Sequence, residues 1–187
     1  MSILDWIIIA VIIVIIIIVL LWAVRSYNRF VRLKKASETT LAQTQVAMKK
    51  RLDMIGELVD VVKSYAQFEK NTLTKVTEMR ASVGNAAPSD LNKVEAQTRP
   101  ILGNLFAVAE NYPDLKTSTE VTNLMGVVRT NEDDIARQRY TFNNIAQEFN
   151  TRRETIPSSL IARLMHLAPI DYLKFEEAIE TPPTTTF

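Results

Sequence analysis

Few residues in this chain have side chains that could do chemistry. His166 is the sole histidine and there is no cysteine. A transition-metal site needs further imidazole or thiolate donors, so a capping or surface role is expected for His166. Glu132-Asp133-Asp134 offers oxygen ligands suited to Ca²⁺ or Mg²⁺. Consecutive helical residues point in different directions, however, and no loop motif surrounds them, so a solvated helix face is expected there. Lys49-Lys50-Arg51 reads as a charged face opposite Leu52 and Ile55, with a partner or lipid contact as the sharper alternative. Asn28, Asn143 and Asn150 each follow an aromatic residue, respectively Tyr27, Phe142 and Phe149. Asparagine is a poor helix former. Asn143 and Asn150, seven residues apart on one face, are expected to hydrogen-bond across helices and to fix their packing register. The inventory offers neither a paired base and nucleophile nor a metal cluster. The expectation is therefore no catalytic, cofactor-binding or metal residues, no cofactor and no enzyme.

The elements that would position these residues begin with an apolar run. Isoleucine fills nine of the twelve positions from Ile7 to Ile18, within an uncharged stretch from Trp6 to Val24. A helix of about 20 residues at ~1.5 Å rise crosses the ~30 Å hydrocarbon core of a bilayer. A cleaved secretory signal would show a basic leader, a shorter apolar region and a small-residue cleavage site. Here the leader is Met-Ser-Ile-Leu-Asp and the run ends in Trp22-Ala23-Val24-Arg25, so a retained anchor is expected. Arg25, Arg29, Arg32, Lys34 and Lys35 follow the span, and only Asp5 precedes it. By the positive-inside rule the short N-terminus lies outside and the body in the cytoplasm, at the cell inner (plasma) membrane. The same five residues are candidate contacts to the membrane surface. The span has no glycine, serine or threonine, so close helix association within the bilayer is not encoded in the usual way.

Beyond the span the apolar spacing is helical. Leu41, Met48, Leu52, Ile55, Val59, Val62, Ala66, Leu73 and Val76 form one seam. No strong breaker occurs before Gly84-Asn85-Ala86-Ala87-Pro88, which predicts one helix from Trp6 to about Asn85, a stalk roughly 120 Å long. A second helix, capped by Ser89 or Asp90, is expected to reach Asn111. It buries Ile101, Leu102, Leu105, Phe106 and Ala109, with Pro100 kinking or splitting it. Tyr112-Pro113-Asp114 closes it, and Thr117-Ser118-Thr119-Glu120 reads as a capping box. A third helix carries Val121, Leu124, Val128, Ile135, Phe142, Ile145, Phe149 and Ile156 up to Pro157. Its stripe and that of the first helix each cover 35 residues, which suggests that they pack along one another. A fourth segment holds Leu160, Ile161, Leu164, Met165 and Leu167, breaks at Pro169 and resumes through Tyr172 and Phe175 to about Ile179. The predicted organisation is residues 1–5 outside, 6–24 transmembrane, 25–179 a helical bundle and 180–187 a disordered tail.

Tyr27-Asn28, Val31, Leu33, Val46, Met48-Lys49-Lys50-Arg51 and Leu58-Val59 occur in this order and are followed farther on by Ala109-Glu110-Asn111-Tyr112-Pro113-Asp114-Leu115-Lys116, Glu132, Ile135-Ala136 and Arg139. In this ordered set the chain resembles the LemA family of prokaryotic membrane-anchored helical proteins. It departs from the family pattern at Thr40-Leu41-Ala42, Gly56, Phe68, Phe142 and Phe149. The resemblance implies an all-α fold, an N-terminal transmembrane helix continuing into an up-and-down bundle of long helices, and no known catalytic residues.

Charge is nearly balanced, with 22 basic and 21 acidic residues, which argues against nucleic acid as a partner. The expected function is a single-pass membrane-anchored helical scaffold that self-assembles or docks partners at the cytoplasmic membrane face. Its partners would be membrane lipids, further copies of itself and other membrane proteins. The alternative is a membrane-remodelling or lipid-binding module, motivated by the basic collar and the apolar segment from Leu160 to Leu167.

Overall fold

A computed structural model of the chain describes residues 3–63 and 70–174. Helix is the sole regular structure among them, in the order α1 (Ile3–Val62), α2 (Lys70–Val83), α3 (Pro88–Asn111), α4 (Pro113–Thr117), α5 (Thr119–Glu154) and α6 (Ser158–Leu164). The chain divides into two compact units. The first comprises Met1–Thr39 with Asn144–Ile170, and the second Thr40–Asn143 with Asp171–Phe187. Helices α1 and α5 each contribute to both.

The apolar run and the start of the body share one helix. An 18-residue window of α1 has a mean hydropathy of 3.8 and no residue buried by protein, so the segment is long and apolar enough to cross a membrane. Further along α1 in the second unit, Met48, Leu52, Ile55, Val59 and Val62 are buried, as the seam requires. The upstream part of the same stripe is made of Ser37, Thr40 and Thr44, all buried. The Thr44 hydroxyl donates to the Thr40 carbonyl at 2.9 Å, satisfying itself within its own helix.

The predicted stalk to Asn85 does not exist. Arg80 on α2 pairs with Asp53 on α1, and the Gln45 amide donates to the Ala86 carbonyl at 3.0 Å. In one continuous helix Asp53 and Arg80 would stand about 40 Å apart at ~1.5 Å per residue. The chain has instead reversed between α1 and α2, which lie antiparallel. No proline or glycine marks residues 57–83, so the sequence carried no breaker to announce the turn. The reversal also changes the seam: Val76 and Met79 are buried, whereas Leu73 is exposed. Ala66, Phe68 and the segment from Phe175 through Ile179 lie outside the described residues, as does the tail expected at 180–187.

Helix α3 starts one residue before the expected caps. Ala87 is its N-cap without a side-chain bond and Pro88 opens it, a position where proline's fixed φ and missing N–H cost nothing. Pro100 sits inside α3 without ending it. Leu91, Val94, Thr98, Leu102, Leu105 and Ala109 face the core. A five-residue helix, α4, follows the Tyr112 that closes α3. The Thr117 hydroxyl serves the Pro113 carbonyl at 3.0 Å. The cap of α5 is therefore Ser118, which accepts from the Val121 N–H at 3.4 Å, one residue later than the predicted box.

Beyond α6 the described residues 167–174 form no regular structure, where helix was expected to resume by Tyr172. Pro169 supplies the physical reason, since it lacks an N–H and biases the residue before it away from helix. Helix α6 ends in a Schellman motif. The Leu167 N–H bonds the Ala162 carbonyl and the His166 N–H bonds the Arg163 carbonyl, both at 3.1 Å. His166 holds the left-handed position of that motif, with φ 51°, so the single histidine is a helix-terminal residue.

Candidate functional site

In the first unit, α1, α5 and α6 meet around a small aromatic core. Phe30 and Phe149 pack edge to face with centroids 5.7 Å apart. Leu33 and Ala162 are buried with them, and Ile145, Ile161, Met165, Leu167 and Ile170 pack around the cluster. The basic collar flanks Phe30 on both sides in the sequence. Arg29 donates from Nε at 2.9 Å and from Nη2 at 2.5 Å to Oε1 of Glu148, and Arg152 donates to the same oxygen at 2.9 Å. The Arg29 hydrogen bonds hold the Glu148 carboxyl below its usual pKa, against partial burial and with Arg152 assisting. Arg25, Arg32, Lys34 and Lys35 are exposed. Lys35 pairs with Glu38 at 2.8 Å, and Arg32 donates to its own helix at the Asn28 carbonyl, 3.3 Å away. A cleft beside the end of the apolar run is lined by Leu21, Trp22 and Val24 together with Arg25, Arg29, Arg32 and Arg152. That pairing of surfaces suits an anionic headgroup joined to an acyl chain.

The asparagines act differently from the expectation of bonds between helices. In the second unit, Asn143 Nδ2 donates to the Leu173 carbonyl at 2.7 Å and its Oδ1 accepts from the Leu173 N–H at 2.9 Å. In the first unit, Asn150 makes the same pair of bonds with Ile170, both at 2.9 Å. A side-chain amide presents one donor and one acceptor as a peptide does. Each asparagine thereby satisfies the backbone of a segment that has no helix or sheet of its own. Asn92, not singled out from the sequence, does likewise with the Tyr172 carbonyl at 3.2 Å and the Lys174 N–H at 2.8 Å.

The second unit also encloses a charge cluster that the reading of Lys49-Lys50-Arg51 as a surface face did not anticipate. Lys49 and Lys50 are exposed, but Arg51 is 1% exposed. Its Nη2 meets Glu95 at 2.7 Å and its Nη1 reaches both oxygens of Glu132 at 3.1 Å. Arg139, also buried, stands 3.5 Å from Glu95. Burial is the largest influence on Arg51 and disfavours its charge, but the attraction of Glu95 and Glu132 outweighs it and its pKa is raised. Burial likewise pushes the Glu95 carboxyl upward, and Arg51, with Arg139 and Arg99, pulls it below its ordinary value. Burial depresses Arg139, which also feels repulsion from Arg51. Glu132 thus faces inward to an arginine, and Asp134 pairs with Arg137 on the same helix. Among the described residues no group of three or more His, Cys, Asp or Glu is arranged to hold a metal ion. The cluster's chemistry is structural, locking α1, α3 and α5 together through ions that cannot be separated without stranding a buried charge.

Known proteins bear on this arrangement as follows. The model of the LemA family matches residues 40–187. The chain is 28% identical over 142 residues to Protein LemA of Metamycoplasma hominis, covering 75% of this chain and 65% of that protein. It is 22% identical over 186 residues to Magnetosome protein MamQ of Magnetospirillum gryphiswaldense, covering 85% of this chain and 68% of that protein. Magnetosome protein MamQ 2 of Paramagnetospirillum magneticum matches over the same length at 22% identity. The chain thus spans about two thirds of the length of these relatives, just under that share for Protein LemA. A membrane-associated protein is what the apolar helix and these relatives together support. With the family model matching well over half of its length, the chain belongs to the LemA family.

Proposed function

We propose that this chain is a single-pass membrane-anchored helical scaffold that self-assembles or docks other membrane proteins at the cytoplasmic membrane face. The observation that carries this reading is α1 itself. One helix, Ile3–Val62, bears both the unburied apolar segment and the core residues Met48, Leu52 and Ile55. A helix end that is also a structural member of the body anchors it more directly than a flexible linker would. The exposed collar residues Arg25, Arg32, Lys34 and Lys35 support a cytoplasmic body by the positive-inside rule. The buried ion pair of Arg51 with Glu95 adds to this, since it holds helices of the body together.

Two experiments test the reading. Protease treatment of intact spheroplasts should leave the body uncut, and digestion from outside would overturn the orientation. Light scattering and cross-linking of the full chain in detergent and in membranes should give oligomers or a recovered membrane-protein partner. Monomers alone, with no partner recovered, would overturn the scaffold.

A further inference from the structure

Helix α6 presents apolar residues on two sides. Toward the protein, Ile161, Ala162 and Met165 pack on Phe30 and Phe149. On its other side, Leu160 and Leu164 are 61% and 77% exposed, and Ile156 just before the helix is 85% exposed. Leu160 and Leu164 are four residues apart and share one face. A seven-residue helix facing water would place polar side chains there, and an exposed contiguous apolar face marks a second apolar phase or a partner.

The position of α6 says which. Leu164, Ile161 and Met165 line one trough with Ala23, Val24 and Tyr27 of α1. Residues 6–24 at ~1.5 Å each nearly match the ~30 Å hydrocarbon core, so Val24 stands at its boundary and Tyr27 about a turn beyond. A helix sharing a trough with Val24 and Tyr27 sits at headgroup depth, where amphipathic helices insert their apolar face ~5–10 Å. Charge agrees. Arg163 is exposed on α6, and Arg25, Arg29, Arg32 and Arg152 line the neighbouring cleft, with Glu148 as its bridging acid. We propose that α6 is an interfacial helix, its Leu160 and Leu164 inserted into the leaflet that the C-terminal end of the span enters, with the arginines on anionic lipid headgroups. This rests on residues 6–24 spanning the membrane and adds a second lipid contact, distinct from the anchor.

The absence of cysteine makes the test direct. Full-length Leu164→Cys, Leu160→Cys, Ile16→Cys and Val46→Cys variants are labelled with a polarity-sensitive fluorophore in vesicles of phosphatidylcholine and phosphatidylglycerol. Val46, on the second unit, is exposed. Labels at 164 and 160 should be blue-shifted and quenched at least ~2-fold more than the label at 46 by nitroxides on the lipid chains. Quenching at 16 without quenching at 164 and 160 overturns the interfacial helix and leaves the anchor standing. No quenching at 16 overturns both. A blue shift at 164 that persists in detergent without lipid quenching identifies a second copy as the occupant and overturns the proposal. Equal quenching in vesicles of phosphatidylcholine alone overturns the role of anionic headgroups.

Discussion

The two units solve burial in opposite ways. The second puts charge inside: Arg51, Glu95 and Arg139 are each at most 5% exposed, and apolar residues surround them. The first keeps charge on its surface and puts apolar residues both inside, at Phe30 and Phe149, and outside, at Ile156, Leu160 and Leu164. A domain in water tolerates buried ions only when they are paired, and tolerates exposed apolar faces only in small patches. The second unit is built by those rules. The first departs from them, and the interfacial helix proposed above would account for its surface, since exposed leucine is stabilised in lipid and surface arginine finds phosphate there.

Substitutions in each unit test that contrast. The largest loss is expected from Glu95→Ala or Arg51→Ala, which strands a buried partner charge at a cost of about 3–5 kcal/mol, measured by denaturant unfolding of the detergent-solubilised chain. A loss below that of an exposed pair such as Arg80–Asp53 would remove the ionic cluster from the account. Next come Asn143→Leu and Asn150→Leu, each removing two bonds to otherwise unsupported backbone. Each should cost about 1–3 kcal/mol and speed amide exchange at Leu173 or Ile170 in its own unit. Unchanged exchange would show that the segment holds itself.

The pH response follows from the same ions. The carboxyls of Glu95 and Glu148 are both lowered in the folded chain. Their stabilisation is therefore complete above the ordinary carboxylate pKa and is lost as pH falls through the lowered values. A stability profile flat from neutral pH down past pH ~3 would contradict this. A smaller effect, a gain, is expected from His166→Gly, which relieves a left-handed residue and should add about 0.5–1 kcal/mol. The smallest effect in the set is Leu160→Ser with Leu164→Ser, within about 0.5 kcal/mol for unfolding because both are exposed. Its consequence should appear in lipid contact and not in fold.

Much of this was legible from spacing. The membrane-compatible helix, the span of α3 and the stripe of α5 from Val121 to Phe149 follow from apolar periodicity, because burial on one face demands it. The reversal after Val62 was not legible, since a turn without proline or glycine leaves no local mark. The buried cluster was half legible. Arg51 falls on the 3–4 spacing of Met48, Ile55, Leu58 and Val62, and Glu95 on that of Leu91, Thr98, Leu102 and Leu105. Reading charges by type put Arg51 on the surface, while reading them by position would have put both inside. The asparagines drew notice as poor helix formers, but their partner is a segment that periodicity cannot describe. Ile156, assigned to the seam of α5, is exposed, because the helix ends at Glu154.

The contrast between the units is tested most directly by a nitroxide scan of residues 156–165 in the full-length chain in phosphatidylglycerol-containing vesicles. Collision with oxygen, which concentrates in lipid, is compared with collision with a water-soluble nickel chelate. The account predicts oxygen-dominated collisions peaking at 160 and 164, with 46 and 133 in the second unit dominated by the chelate. Chelate-dominated collisions throughout 156–165, indistinguishable from those at 46, would contradict it.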